Sequence, residues 1–149
     1  MPEEAIDIFD IPFNHFLGIT ESEKPDYLLQ LASEEQHRNH VGSIHAAALF
    51  ALAEATSGEY LIQRRGERTD IVGLLRRSTS KYSNPAHGVI YGSAEVTDDA
   101  FEAMVSAVDA KGKGLLDIAV KLDDENGVMV ASFTFTWLLA ESHLNERSL

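Results

Sequence analysis

Residues 43–62 read SIHAAALFALAEATSGEYLI. The stretch lacks proline, is rich in Ala and Leu, and is far longer than a strand, so it predicts a helix. Its apolar residues fall on nearly every face, which is the pattern of a helix enclosed by protein. The many alanines allow close backbone approach, and Gly58 is the one weak point in the interior.

Upstream of this helix, residues 3–13 mix acids with Ile6, Ile8, Phe9 and Phe13 and read as a short helix ended near Pro12. Residues 15–20 (HFLGIT) and 27–32 (YLLQLA) read as short strands around the polar turn ESEKPD. Downstream, the pattern turns to strands at 71–82, stopped by Asn84-Pro85, and at 88–97, where it alternates. Asp98-Asp99 reads as a cap before a short helix at 100–108. Two strands follow at 115–122 and 128–139, joined by a turn whose Asn126-Gly127 is the strongest short hairpin signal in the chain. One enclosed helix beside a largely antiparallel sheet requires the sheet to wrap around it, an α+β architecture. The 149 residues suit one domain, placed at 1–140 with a polar tail at 141–149.

Composition removes several classes of function. The net charge of −12, from 24 acids against 12 Lys and Arg, repels phosphate backbones, so no nucleic-acid partner is expected. No apolar run approaches the roughly 20 residues that cross a bilayer, so no membrane partner is expected either. The opening MPEEAIDIFD has four acids and no Lys or Arg, unlike a secretory signal, and the expected location is cytoplasmic. The absence of cysteine removes disulfides, thiolate nucleophiles and Cys-based zinc sites together. No Gly-x-Ser-x-Gly elbow or phosphate-cradling glycine motif occurs. His37, His40 and His45 lack a regular ligand spacing and read as loop and cap residues; no metal or other cofactor is expected. Half of the basic residues (Arg64, Arg65, Arg68, Arg76, Arg77 and Lys81) fall in one segment with only Glu67 and Asp70 as acids. That cluster reads either as a patch for a small phosphorylated ligand or as a solvated helix end and strand face.

Candidate chemistry gathers at the start and middle of the long helix, at Asn39, His40, Gly42, Ser43, His45 and Glu54. A carboxylate in an apolar helix is costly to bury alone, so Glu54 is paired, protonated, exposed or lining a cavity. His45 stands where the free first-turn amides and the positive end of the helix dipole point outward, a setting that suits a developing oxyanion as well as a plain cap. Glu54 follows His45 by nine residues, about 13–14 Å along a helix and two and a half turns around it. The two cannot cooperate within one chain, and a shared site needs a partner whose helix runs antiparallel. This is the physical reason to expect a dimer.

At these residues the chain resembles the hotdog-fold acyl-CoA thioesterase superfamily, and within it the branch containing phenylacetate-pathway thioesterases and the hydroxybenzoyl-CoA thioesterases of the glutamate type. That branch carries Asn-x-x-Gly-x-x-His-Gly-Gly, with Asp or Glu nine residues after the His. Here Asn39, Gly42, His45, Ala46, Ala47 and Glu54 stand at those positions. Tyr82 through Gly88 resembles the family's strand end, an aromatic followed by Pro-Ala-x-Gly, and the likeness spans about residues 14–140. The resemblance implies a hotdog fold, an antiparallel sheet wrapped around one central helix, and a homodimer or homotetramer. It implies an acyl-CoA or acyl-carrier-protein thioester as ligand. By position Glu54 is the nucleophile or general base, and the Ala46 N–H forms the oxyanion hole. Asn39 and His45 orient the thioester, and Ser57 positions water. Gly42, Arg76, Arg77 and Lys81 complete the expected substrate contacts. The Gly-Gly pair is Ala46-Ala47 here, which keeps the amide but narrows the approach. The segment 98–111 is longer than in the typical enzymes and resembles an uncharacterised branch of the superfamily.

Thioester hydrolysis between two subunits is the leading expectation. A non-catalytic acyl-thioester binding protein, favoured by Ala46-Ala47, is the alternative from another class. An acyl-CoA hydratase on the same fold is a third, with His87 and Asp70 as its only candidate pair.

Overall fold

A computed structural model describes residues 6–142. A 3-10 turn at Ile8–Asp10 leads into α1 (Pro12–Leu17), then β1 (Thr20–Glu21), β2 (Leu29–Ala32) and a second 3-10 turn at Glu35–His37. The long helix α2 (Ala46–Arg65) is followed by β3 (Ile71–Tyr82), β4 (Val89–Glu95), α3 (Asp98–Lys111), β5 (Lys113–Asp123) and β6 (Met129–Glu141).

Pro12 begins a helix rather than ending one. It sits in the first turn of α1, where its missing N–H costs nothing and its fixed φ is already helical. Half of the segment 15–20, expected as a strand, therefore belongs to α1, and only Thr20 of it is in β1. Gly18 ends that helix at φ 78 and donates its amide to the His15 carbonyl. The part of the expected first helix at residues 3–5 lies outside the described residues. Thr97, not Asp98-Asp99, is the N-cap of α3, accepting from the Ala100 N–H at 3.2 Å.

All strand pairs are antiparallel, in the order β1-β2-β4-β5-β6-β3. Period-two alternation aims Leu116, Ile118, Val120 and Leu122 of β5, with Phe133, Phe135 and Trp137 of β6, at the buried face against α2. This is the hotdog arrangement. Gly92 of β4 lets α2 press onto the sheet, since a methyl group there would collide with Thr56. Leaving glycine out of that strand would force the helix away from the core it organises. Helix α3 lies beside the C-terminal half of α2. Arg64 of α2 pairs with Asp98, and Arg68 just beyond it reaches Asp109 at 2.8 Å.

Two surfaces of the core stay uncovered. Strand β3 is an edge strand of 12 residues, long for an exposed edge, with a bulge between Leu75 and Arg77. Beside it, α2 leaves Ala46, Ala47 and Phe50 incompletely covered, so the helix expected to be enclosed on all sides is open along one stripe.

Candidate active site

The N-terminus of α2 is built by a short loop. Asn39 Oδ1 accepts from the Val41 and Ser43 amides at 3.0 and 3.1 Å, and its Nδ2 donates to Ser43 Oγ at 2.8 Å. Gly42, at φ 82, completes that turn. Asn39 thus holds the loop that presents His45, through hydrogen bonds that stay inside residues 39–43. His45 caps the helix by accepting the Ala47 N–H on Nδ1 at 2.9 Å, which leaves the ring proton on Nε2. The Ala48 and Leu49 amides both donate to the His45 carbonyl. The Ala46 N–H is then the first-turn donor without an acceptor among the described residues, at the positive end of a 20-residue helix. A cavity of about 530 Å³ opens here, lined by Asn39, Ser43, Ala46, Tyr82, Pro85 and His87 among others.

Glu54 lies further along α2, half-buried in otherwise apolar surroundings. Its carboxylate makes no hydrogen bond or ion pair among the described residues, and burial raises its pKa above the ordinary carboxylate value. It opens onto two spaces. One is an open groove of about 600 Å³ running past Ala46, Ala47, Phe50, Leu75 and Tyr82. The other is a more enclosed cavity of about 240 Å³ bounded in part by the N-terminal segment. Of the four readings open to Glu54 from sequence, the structure shows the cavity-lining one.

The geometry within one chain does not close a site. Because the helix starts at Ala46, Ala46 and Glu54 open onto the same groove, but they lie about 12 Å apart along the axis. No single carbonyl reaches both. Ser57 is buried on the sheet side of α2, where its Oγ donates to the Glu54 carbonyl at 2.7 Å and accepts from Trp137 Nε1 at 3.0 Å. It lines neither of the cavities that Glu54 lines.

The basic cluster of the sequence divides into four separate places. Arg64 and Arg68 are paired with acids at the α2–α3 contact. Arg65 is buried, its Nη1 donating to the Ile71 carbonyl. Arg76 and Arg77 line a cavity together with Lys111 and Lys113, while Lys81 lines another. The two lysines joining Arg76 and Arg77 escaped sequence reasoning because they reach the patch through the β6–β5 pairing. His87 and Asp70 flank opposite ends of β3, a strand roughly 40 Å long, and are not brought together. His37 is buried, with Nδ1 accepting from the Glu34 amide at 3.1 Å and Nε2 2.8 Å from the Leu17 carbonyl. Among the described residues, no three His, Cys, Asp or Glu side chains cluster so as to hold a metal ion, and no helix is long and apolar enough to cross a membrane.

The arrangement has counterparts of known structure. A Pseudomonas aeruginosa protein of unknown function, called a probable thioesterase, is 25% identical over 90% of this chain and 91% of its own, with a TM-score of 0.76. A Staphylococcus aureus thioesterase enzyme is 14% identical over 87% of this chain and 98% of its own, at a TM-score of 0.63. A Bacillus halodurans protein solved with CoA is 13% identical over 74% of this chain and 69% of its own, at 0.59. No curated protein sequence matches the chain. These likenesses identify a thioesterase-like hotdog protein. The model of a domain of unknown function, DUF4442, matches residues 18–139, a span that takes in α2, both ends of the candidate site and nearly the whole sheet, and the chain belongs to that family.

Proposed function

We propose that the chain is an acyl-CoA thioesterase whose active sites form between two copies, each site using Glu54 of one subunit and the helix N-terminus of the other. The unpaired, half-buried Glu54 carboxylate carries this reading. A half-buried carboxylate without a counter-ion is kept at a cost in stability, and its raised pKa makes it a stronger base. The CoA bound to the Bacillus halodurans relative supports CoA as the carrier.

The open stripe of α2 and the long free edge of β3 are the surfaces a second copy would cover. With two α2 helices antiparallel, Glu54 faces the partner's His45 and Ala46. Glu54 takes a proton from water, the water oxygen bonds to the thioester carbon, and the carbonyl oxygen gains negative charge. The Ala46 N–H and His45 Nε2–H of the partner subunit stabilise that oxyanion. The C–S bond then breaks, and the CoA thiolate leaves with the proton held by Glu54. Asn39 and Gly42 position the loop. Arg76 and Arg77, with Lys111 and Lys113 beside them, are the phosphate-binding candidates on an otherwise acidic chain.

Two variants test this without disturbing the fold. Glu54→Gln removes the base. Ala46→Pro removes only the oxyanion N–H, because proline is favoured at the first helical position and His45, at φ −61 and ψ 139, already has the conformation a following proline requires. Each variant alone should lose acyl-CoA hydrolysis. Mixed and reassociated, they should regain about a quarter of wild-type turnover, since half of the pairs are hybrids with one intact site of two. Failure of the mixture to recover, with hybrids shown to form, would exclude a shared site. Binding of acyl-CoA without turnover by the wild type would make the chain a binding protein instead.

A further inference from the structure

The cavity of about 240 Å³ beside Glu54 is a chamber that the hydrolytic reading does not by itself require. Its wall is one stripe of α2, Glu54, Gly58, Leu61, Ile62 and Arg65, spaced i, i+4, i+7, i+8 and i+11. Its floor is Trp137 and Gly73 of the sheet, and its roof is the N-terminal segment through Ile6, Ile8, Ile11 and Phe13. Its lining is mainly apolar, with the Glu54 carboxylate and Arg65 about 16 Å apart along the helix axis. The Arg65 guanidinium is held by the Ile71 carbonyl, which closes that end. The roof precedes residue 18, where the DUF4442 match begins, so it belongs to this chain rather than to the family match.

We propose that this chamber takes the acyl group of the thioester, and that it selects an uncharged chain of medium length. The proposal rests on the thioesterase reading for the position of the reacting carbonyl at Glu54. Size sets the class of ligand. A cavity of roughly 150 Å³ holds benzene, so by proportion one of this volume takes roughly ten carbons. An acetyl group leaves it empty, and a long chain meets the closed Arg65 end. Each methylene that enters raises affinity by about fourfold until the chamber is full. Gly58 sets the width. A methyl group there would sit 3.2 Å from Ile8 Cδ1, pushing the roof or shortening the space.

Trp137 supplies the readout, because it is the chain's single tryptophan and lies in the chamber floor. Emission from Trp137 is followed while acetyl-, butanoyl-, octanoyl- and hexadecanoyl-CoA are titrated into full-length protein carrying Glu54→Gln, which holds the thioester unhydrolysed. Octanoyl-CoA should give a saturable change, butanoyl-CoA a weaker one, and acetyl-CoA or CoA alone none. Gly58→Ala, a change that favours the helix, should weaken the octanoyl response at least tenfold and leave the butanoyl response nearly unchanged. Ile62→Phe, one turn further along the same helical wall, should do the same, keeping the test open should the first variant fold poorly. A Trp137 response in the wild type without turnover keeps the chamber and overturns only the hydrolysis. Turnover with no Trp137 response, or a chain-length profile that neither variant shifts, overturns the chamber and leaves the hydrolysis standing.

Discussion

The charges along α2 and just past its end fall into two opposite arrangements. In the last turn and just beyond it, Arg64 is held by Asp98, and Arg68 by Asp70 at 3.0 Å and Asp109 at 2.8 Å, with much of each side chain in solvent. In the middle, Glu54 is half-buried and has no partner among the described residues. The first group ties α3 to α2 and contributes little that solvent does not already provide. The second is kept at a cost in stability, which points to chemistry. Charge alone therefore does not mark the site; a charge without compensation does.

The sharpest break in this contrast is in turnover. Glu54→Gln should lower acyl-CoA hydrolysis by at least about a hundredfold, the usual contribution of a positioned base, while Arg68→Ala leaves it unchanged. A steady-state assay of both variants decides this, and equal losses would put the functional distinction in doubt.

Next in size is Ser57→Ala. It leaves the buried Trp137 Nε1–H without its acceptor and should cost about 1–3 kcal/mol in denaturant unfolding. Since Ser57 lines neither cavity at Glu54, its turnover per folded molecule should hold. A drop in kcat at full folding would restore the water-positioning role read from sequence.

The dependence on pH separates the two regions by sign. The folded-state pKa of Glu54 is raised by burial, so the native state holds its proton more tightly than the unfolded chain does. Its contribution is favourable below the ordinary carboxylate pKa and is lost as pH rises through the raised value. Asp70 is lowered by its hydrogen bond to Arg68, so its contribution is present above the ordinary value and lost as pH falls through the lowered one. Across that range, Glu54→Gln should gain stability relative to wild type as pH rises, and Asp70→Asn should gain relative stability as pH falls. Thermal unfolding at a series of pH values reads both slopes. The smallest effect belongs to Arg68→Ala, a slight fall in Tm that shrinks further with added salt.

Much of this was legible beforehand. The central helix follows from its length and its Ala- and Leu-rich, proline-free composition, the 71–82 strand from its pattern and the stop at Asn84-Pro85, and the final hairpin from Asn126-Gly127, signals that act over neighbouring residues. Glu54 stood out because a carboxylate in an Ala/Leu-rich helix contradicts its surroundings. The N-terminal segment was misread because Pro12 signals equally the end of one element and the start of the next, and only the packing of Asn14 and Ile8 onto the core selects between them. For the basic cluster the sequence leaves two readings, a ligand patch or a solvated helix end and strand face, because nearness in sequence does not fix nearness in space. The turn after α2 and the alternation along β3 send those residues to different faces.

The sequence by itself determined the α+β class, the long central helix, the hairpin and the one carboxylate out of place, since each rests on local spacing or on a single residue's solvation. The tertiary structure alone decided that Glu54 stands beside a chamber roofed by Ile6, Ile8, Ile11 and Phe13, that Ser57 turns to Trp137, and that Lys111 and Lys113 meet Arg76 and Arg77. Those contacts join residues far apart in the chain, and they depend on strand register and helix placement, which are set only when the whole core packs.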